Sequence, residues 1–125
     1  MGTGEEVRVA ENEIRDVMLI YDAIEMVGLP ELIDKPAKVR GRKPFNRQLL
    51  LSIIIYGLQK GWSYRQMEMF CEENLEELRK IDGTLRKAPD HSIFYLTAKE
   101  LRVTDILRIV AKVKELKGEV PVLWY

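Results

Sequence analysis

The chain has 125 residues, a length that ordinarily forms one domain and buries roughly two thirds of the extended-chain surface. Hydrophobic residues make up 46% and charged residues 32% of the chain, which is the composition of a globular protein. The single cysteine, Cys71, excludes an intrachain disulfide, and Met1–Glu6 lacks the features of a signal peptide. The longest apolar run, residues 49–58, is about half of what a membrane-spanning helix needs. We therefore expect a cytoplasmic protein with no membrane segment.

Charge is segregated along the chain although the formal net charge is zero. Residues 1–34 contain nine acids and two bases, and residues 67–90 contain seven acids and four bases. Between these two acidic segments, residues 35–66 contain eight bases and no acid, while residues 91–125 contain six bases and four acids. A cluster of cations without acids is typical of a surface that meets a polyanion such as nucleic acid. The alternative is a solvated basic linker without a partner.

The first third of the chain predicts one helix followed by an extended linker. Residues 1–12 are expected to be disordered. Glu13–Val27 carries apolar residues at three-and-four spacing and predicts an amphipathic helix that Gly28 ends. Residues 35–45 contain two prolines and a glycine among the cations and predict an extended basic linker.

The longest apolar stretch predicts the central helix of the fold. Asn46 is a suitable N-cap, and the helix is expected to continue to Lys60 and to end at Gly61. Because this segment is apolar on nearly all sides, it is predicted to lie at the centre.

Two capping boxes predict the next two helices. Ser63 with Gln66 opens a helix whose inward residues are expected to include Tyr64, Met67, Phe70 and Cys71. Asn74 with Glu77 has the same spacing and predicts a short helix to Ile81.

The last third predicts two more helices. Asp90 is expected to cap a helix through about Arg102, and Thr104 to cap another that Gly118 ends. Residues 119–125 have the composition of a strand. The predicted fold is therefore all-α: a compact bundle of five or six helices over residues 13–118, with at most one short C-terminal strand.

Three motifs flank the apolar helix in a recognisable order: Arg40-Gly-Arg-Lys-Pro-Phe-Asn-Arg47, Gly61-Trp-Ser-Tyr-Arg-Gln-Met-Glu68 and Pro89-Asp-His-Ser92. This order resembles the N-terminal domain of DDE-type insertion-sequence transposases of the insertion-sequence-five type. The resemblance implies a helix-turn-helix-like domain that binds double-stranded DNA at the terminal inverted repeats of the element. In that family, a ribonuclease-H-like domain with three acidic metal ligands follows.

The resemblance also predicts what this chain lacks. Residues 120–125 are similar to the start of the strand that, in the family, ends in the first catalytic aspartate. None of the three metal-binding acids can be placed, so we expect no catalytic activity, no metal site and no cofactor. The residues themselves agree, because no acid pair, nucleophile–base pair or phosphate-binding loop can be named.

The basic linker supplies the first group of predicted DNA contacts. Arg40, Arg42, Lys43 and Arg47 are expected to hold the phosphate backbone. Arg40-Gly41-Arg42 also has the residues of a minor-groove hook, in which a flexible glycine lets two guanidinium groups follow a narrow groove. The alternative is a linker that touches phosphates at most.

A pair of helices supplies the second group. Residues 63–73 followed by 91–102 are predicted to form a helix-turn-helix-like pair, with an extra helix between them. Ser92, Tyr95 and Lys99 share one face of the second helix by spacing and are the predicted base contacts. The alternative is a plain helical bundle in which Tyr95 packs inside.

Three single residues have two interpretations each. Arg65, near a helix N-terminus, is a predicted phosphate contact, and its alternative is a surface ion pair with Glu68 or Glu72. Cys71 and His91 are too few to bind zinc and are interpreted as a core cysteine and a half-exposed, capped histidine.

A function of a different class competes with DNA binding. The chain is then a helical protein-interaction or dimerisation module, with inhibition of full-length transposase as one role. The N-terminal helix is the best candidate for a homodimer surface, because its apolar stripe is wide. Its alternative role is to complete the bundle.

Overall fold

The computed structural model describes residues 2–28 and 46–118, with side chains from Glu13 onward in the first range. Within these ranges it contains six α-helices and no strand, which confirms the all-α prediction. The helices are α1 (Gly2–Val27), α2 (Arg47–Lys60), α3 (Tyr64–Glu73), α4 (Leu75–Ile81), α5 (His91–Ala98) and α6 (Val103–Leu116). The predicted basic linker and the predicted strand at 119–125 lie outside the described residues. No helix in the described part is long and apolar enough to cross a membrane.

Helix α2 is the centre of the bundle, as predicted. Its residues 49–57 are all buried, and the helix contacts α1, α3 and α5. The hydroxyl of fully buried Ser52 donates to the Gln48 carbonyl oxygen at 2.7 Å. The polar group is therefore satisfied within its own helix and needs no partner from a neighbour.

Both ends of α2 follow the predicted capping chemistry. The Asn46 side chain accepts a hydrogen bond from the Leu49 backbone N–H at 3.2 Å. At the other end Gly61 has φ +75°, a left-handed conformation that glycine adopts without steric cost. The Trp62 N–H then donates to the Gly57 carbonyl oxygen at 2.8 Å and closes the turn.

Helix α1 begins at Gly2, well before the predicted start at Glu13. Residues 2–12, expected to be disordered, are part of this helix, because nothing between Glu5 and Glu13 stops it: the segment has no proline or glycine. Most of the predicted apolar stripe is buried between α2 and α6, where the innermost side chains are Ile14, Val17, Ile20, Ala23 and Ile24, whereas Met18, which was predicted to belong to it, is exposed. The stripe thus contributes to the bundle core.

The first of the two predicted capping boxes is present, and the second is wrong. The Ser63 hydroxyl accepts from the Gln66 N–H at 3.2 Å, and the Gln66 side chain accepts from the Ser63 N–H at 2.7 Å. Asn74 makes no side-chain cap to α4, because its amide instead donates to the Phe70 carbonyl oxygen at 2.9 Å. Asn74 therefore closes the end of α3 rather than opening α4.

Two helix boundaries near the C-terminus differ from the prediction. The Asp90 cap is present, but α5 ends at Ala98 and not near Arg102. Short-range hydrogen bonds, from the Glu100 N–H to the Thr97 oxygen and from the Leu101 N–H to the Ala98 oxygen, tighten the chain there. Helix α6 then starts at Val103, with extended Arg102 as its N-cap, so Thr104 lies inside the first turn instead of capping it.

Helices α2, α3 and α5 form a three-helix unit, in which each helix contacts the other two. The short helix α4 and residues 82–90 connect α3 to α5. Three aromatic side chains pack together between α2 and α3. The Trp62 ring centroid lies 5.4 Å from that of Tyr56 and 5.2 Å from that of Phe70. Helix α6 packs mainly on α1, at the side of the bundle.

Gly57 of α2 lies directly against the Met67 side chain of α3. A Cβ atom placed there would lie 2.7 Å from the Met67 Cε atom, 3.0 Å from its Cγ atom and 3.3 Å from the Trp62 ring. Met67 is fully buried, so its side chain has little room to move aside. A side chain at position 57 would therefore have to displace the buried Met67 side chain.

We predict that Gly57→Val destabilises the fold. Overpacking a close-packed core costs about 1–3 kcal/mol, which corresponds to a fall in Tm of roughly 5–15 °C for a domain of this size. Gly83→Ala is the matched control, because a Cβ atom there meets only the Arg79 carbonyl oxygen, at 3.9 Å. Thermal unfolding followed by circular dichroism measures both. A Gly57→Val variant that melts with the parent would contradict the packing argument.

Candidate nucleic-acid interface

One face of α5 is exposed, and its residues follow one another at helical spacing. Buried Phe94 and Thr97 turn the helix toward α2 and α3. The opposite face presents Ser92, Tyr95, Leu96 and Lys99, which we call the α5 stripe. Tyr95 is 48% exposed and Leu96 is 59% exposed, so the stripe offers apolar as well as polar groups to solvent.

Tyr95, in the middle of the α5 stripe, contacts a cation on one side and an aromatic ring on the other. The Lys99 Nζ atom lies 5.1 Å from the centroid of the Tyr95 ring. On its other side the Tyr95 ring meets the Tyr64 ring of α3 edge-on, with centroids 5.9 Å apart and planes at 70°. These contacts fix the position of Tyr95 and bring a side chain of α3 to the edge of the stripe.

Carboxylates gather at the N-terminal end of α5. The Asp90 side chain accepts from the Ile93 N–H at 3.0 Å. From α3, the Glu68 Oε1 atom lies 3.1 Å from the His91 backbone nitrogen, which donates to it, and 3.0 Å from His91 Nδ1. Both carboxylates suit the positive end of the helix dipole. They also make this end of α5 unfavourable for a phosphate.

The C-terminal end of α5 is tied to the start of α2. Arg47 and Glu100 form an ion pair through Nη2 and Oε2. Asn46 Nδ2 donates to the Tyr21 hydroxyl at 3.1 Å, and Gln48 Nε2 donates to the Tyr21 carbonyl oxygen at 2.9 Å. The first turn of α2 is thus anchored to both α1 and the end of α5.

The described start of α2 is tied to the end of the α5 stripe. Asn46 begins the turn that Arg47 ties to Glu100, which follows Lys99 in the sequence. The predicted basic linker, residues 35–45, directly precedes Asn46 in the sequence.

The structure brings some of the predicted site residues together and leaves others outside the described part. Ser92, Tyr95 and Lys99 share one exposed face, as predicted. Arg65 is exposed in the first turn of α3, beside Tyr64, and has no ion pair with another described residue. Arg47 is partly buried in its ion pair with Glu100. Arg40, Arg42 and Lys43 lie outside the described residues.

Sequence reasoning missed three residues of this site. Leu96 lies on the same helix face as Ser92 and Lys99 by three-and-four spacing, so the spacing pattern could have included it. An apolar residue, however, is ordinarily assigned to the core. Tyr64 was expected to point inward and does pack, partly buried, against the hydrophobic core, but its contact with the Tyr95 ring at the edge of the stripe was not predicted. Glu68 was considered only as a surface partner for Arg65, and it contacts His91, 23 residues away in the sequence, a contact for which spacing gives no signal.

Cys71 is a core residue, as predicted. Cys71 is fully buried, and burial, with smaller contributions from Glu68 and Glu72, raises the pKa of its thiol from 9.0 to about 12. Across residues 13–28 and 46–118, no group of three or more metal-ligating side chains is placed to hold a metal ion.

A comparison with protein families identifies the chain. Residues 5–100 match the family described as Transposase domain (DUF772). The chain belongs to this transposase domain family. The match includes every predicted site residue from Arg40 to Lys99 and ends just after α5, so α6 lies beyond it. Searches of curated proteins and of solved structures found no match.

The family match agrees with the relationship that the motif order indicated. In this transposase domain, the Gly61–Glu68 motif builds the capped start of α3, and the Pro89–Ser92 motif builds the start of α5. Glu68 and His91 come from these two motifs and contact each other directly. The motif residues thus join the two helices that carry the candidate interface.

We predict that Glu68→Ala lowers the stability of the domain. The change leaves the His91 N–H without its acceptor at the start of α5, a loss worth about 1 kcal/mol, as for other helix caps. Glu72→Ala, one turn later on the exposed side of α3, is the control and is expected to be neutral. Urea denaturation measures both free energies of unfolding. Equal losses in the two variants would show that the Glu68 contact does not stabilise α5.

We also predict that Cys71 is unreactive in the folded domain. Since its raised pKa leaves very little thiolate at pH 8, alkylation by iodoacetamide should be far slower than that of a free thiol. Mass spectrometry of timed samples measures the rate, and the same reaction in guanidinium chloride gives the unfolded reference. Rapid labelling under native conditions would mean that the thiol is not enclosed.

Proposed function

We propose that this transposase-family domain binds double-stranded DNA and that it does so without catalysing a reaction itself. The observation that supports this most is the composition of the α5 stripe. It carries a lysine, a tyrosine, a serine and a leucine and no carboxylate. The nearest acid beyond its C-terminal end, Glu100, is engaged by Arg47. A face of this kind can approach phosphates without repulsion.

The basic segment is the second part of the proposal. Residues 35–45 directly precede Asn46 in the sequence, and Arg47 ties the start of α2 to Glu100, which follows Lys99. The proposed interface therefore has two parts: the segment around Arg40, Arg42 and Lys43 holds the backbone, and the α5 stripe lies against the major groove. Arg47 acts through its ion pair, by holding the two parts next to each other.

The charges around α5 give the proposed complex a direction. Asp90 and Glu68 make the N-terminal end of α5 negative, and Lys99 makes the C-terminal end positive. DNA is therefore expected to lie over the C-terminal half of the stripe, with Tyr95 and Lys99 as contacts. Ser92, nearest the carboxylates, is the weakest of the three predicted base contacts.

The three-helix unit is suitable for this role. In helix-turn-helix proteins two packed helices present the second one to the major groove. Here α3 and α5 pack against each other and against α2, while α4 takes the place of the usual short turn. The exposed Glu76 and Glu77 of α4 favour an orientation in which that helix faces away from phosphates.

The finer assignment belongs to the same proposal. We propose the terminal inverted repeats of an insertion-sequence-five-type element as the natural target, on the strength of the motif order. The motifs that carry this assignment, at Arg40–Arg47, Gly61–Glu68 and Pro89–Ser92, all fall within the family match.

The proposal predicts a steep dependence of DNA affinity on salt. Engaging four to six phosphates gives a slope of about −4 to −5 in log K against log salt. The triple substitution of Arg40, Arg42 and Lys43 by Ala is expected to flatten the slope by about 2 to 3 and to weaken binding at low salt. Fluorescence anisotropy with a labelled duplex, repeated across salt concentrations, measures both quantities.

The matched control removes three cations from elsewhere on the domain. Arg15, Arg108 and Lys114 are exposed on α1 and α6, and their replacement by Ala changes the net charge by the same amount. We expect this control to keep the parent slope. If the two triple variants have equal effects, the interaction depends on net charge alone. If the linker variant binds DNA as tightly as the parent at all salt concentrations, the basic segment does not contact DNA.

A protein-interaction or homodimer role is the second candidate. It is favoured by the outer face of α6, where Val103 is 72% exposed and Leu107 is 62% exposed. The same experiment separates the two candidates when a sedimentation run without DNA accompanies it. A stable oligomer combined with no DNA binding at low salt would replace the first proposal with the second.

A further inference from the structure

We infer that Leu96 is a specificity-determining residue that contacts the methyl group of thymine, so that the domain prefers A·T pairs under the C-terminal half of α5. This inference rests on the proposed DNA-binding function. It adds to that function a base-reading residue and the chemical group that the residue recognises.

Leu96 is exposed in a way that the fold does not explain. It is 59% exposed and does not pack against the hydrophobic core, whereas its neighbours Ile93 and Ala98 do. Most of the surface of this aliphatic side chain is thus left uncovered by the packing of α5 on α2 and α3. Its free apolar surface is therefore available to a ligand.

The surroundings of Leu96 indicate a polyanion as the ligand. Tyr95 and Lys99 flank it on the α5 stripe, and no side chain of the stripe is acidic. Tyr95 is itself in contact with Lys99 and with the Tyr64 ring. An apolar protein surface would leave the charge of Lys99 without an anionic partner, whereas a DNA duplex offers phosphates to Lys99 and base edges to Leu96.

The major groove offers one apolar group on its base edges, the C5-methyl of thymine. Aliphatic side chains on a groove-facing helix discriminate by burying this methyl group, while G·C pairs present only polar atoms there. Since Tyr95 is held against Tyr64 and Lys99, Leu96 is the side chain of the stripe that is free to make this contact.

The test compares duplexes that differ only in this methyl group. The probe is an alternating A·T duplex of about 20 base pairs, two helical turns, beside the same duplex with deoxyuridine in place of thymidine. Burial of one methyl group changes affinity about fourfold, so the parent should bind the thymidine duplex about fourfold more tightly. Leu96→Ala should bring the ratio of the two Kd values close to one, and Leu96→Met should keep it.

Leu107→Ala is the matched control, because it shortens an equally exposed leucine on α6 and should leave the ratio unchanged. Thermal melting of each variant establishes that it is folded. If Leu96→Ala does not fold, the comparison of the two duplexes is made with Leu96→Met instead. A parent that binds both duplexes equally, with a normal salt slope, would overturn the role of Leu96 and leave DNA binding intact. A parent that binds neither duplex at low salt would overturn the proposed function itself.

Discussion

The structure depends on the complete burial of one helix. Residues 49–57 of α2 have no solvent-facing side, so other helices must cover them from several directions at once. Helices α1, α3 and α5 do so, and the absence of a side chain at Gly57 lets α3 come close enough to complete the enclosure. The position of α5, and with it the candidate interface, follows from the need to cover α2.

The parts of the fold that rest on local chemistry could be predicted from the sequence. The caps at Asn46, Ser63 and Asp90 use a side chain and a backbone N–H three residues apart, so the sequence pattern contains all that is needed. Asn74 has the same pattern and failed, because its amide found the Phe70 carbonyl oxygen behind it. A local signal is reliable only when the side chain has no competing local partner.

The candidate site was predictable in its spacing but not in its contacts. The shared face of Ser92, Tyr95 and Lys99 follows from the geometry of any helix. The pairing of Glu68 with His91 and of Arg47 with Glu100 joins residues that are 23 and 53 positions apart, and only the packing of whole helices decides such pairs. The sequence therefore indicated which residues lie on the exposed face of α5, but it gave no indication of which residues make the contacts that position this helix.

Enclosure of α2 has a consequence for the internal motion of the domain. A backbone amide exchanges its hydrogen with water only when the structure around it opens, and the cost of opening varies along a chain. The amides of α2 lie beneath three helices, so detachment of any one of them leaves the others in place. Helix α6 packs mainly on α1, so its opening leaves the cover of α2 by α3 and α5 in place. Slow hydrogen exchange is therefore expected in α2, at the centre of the molecule.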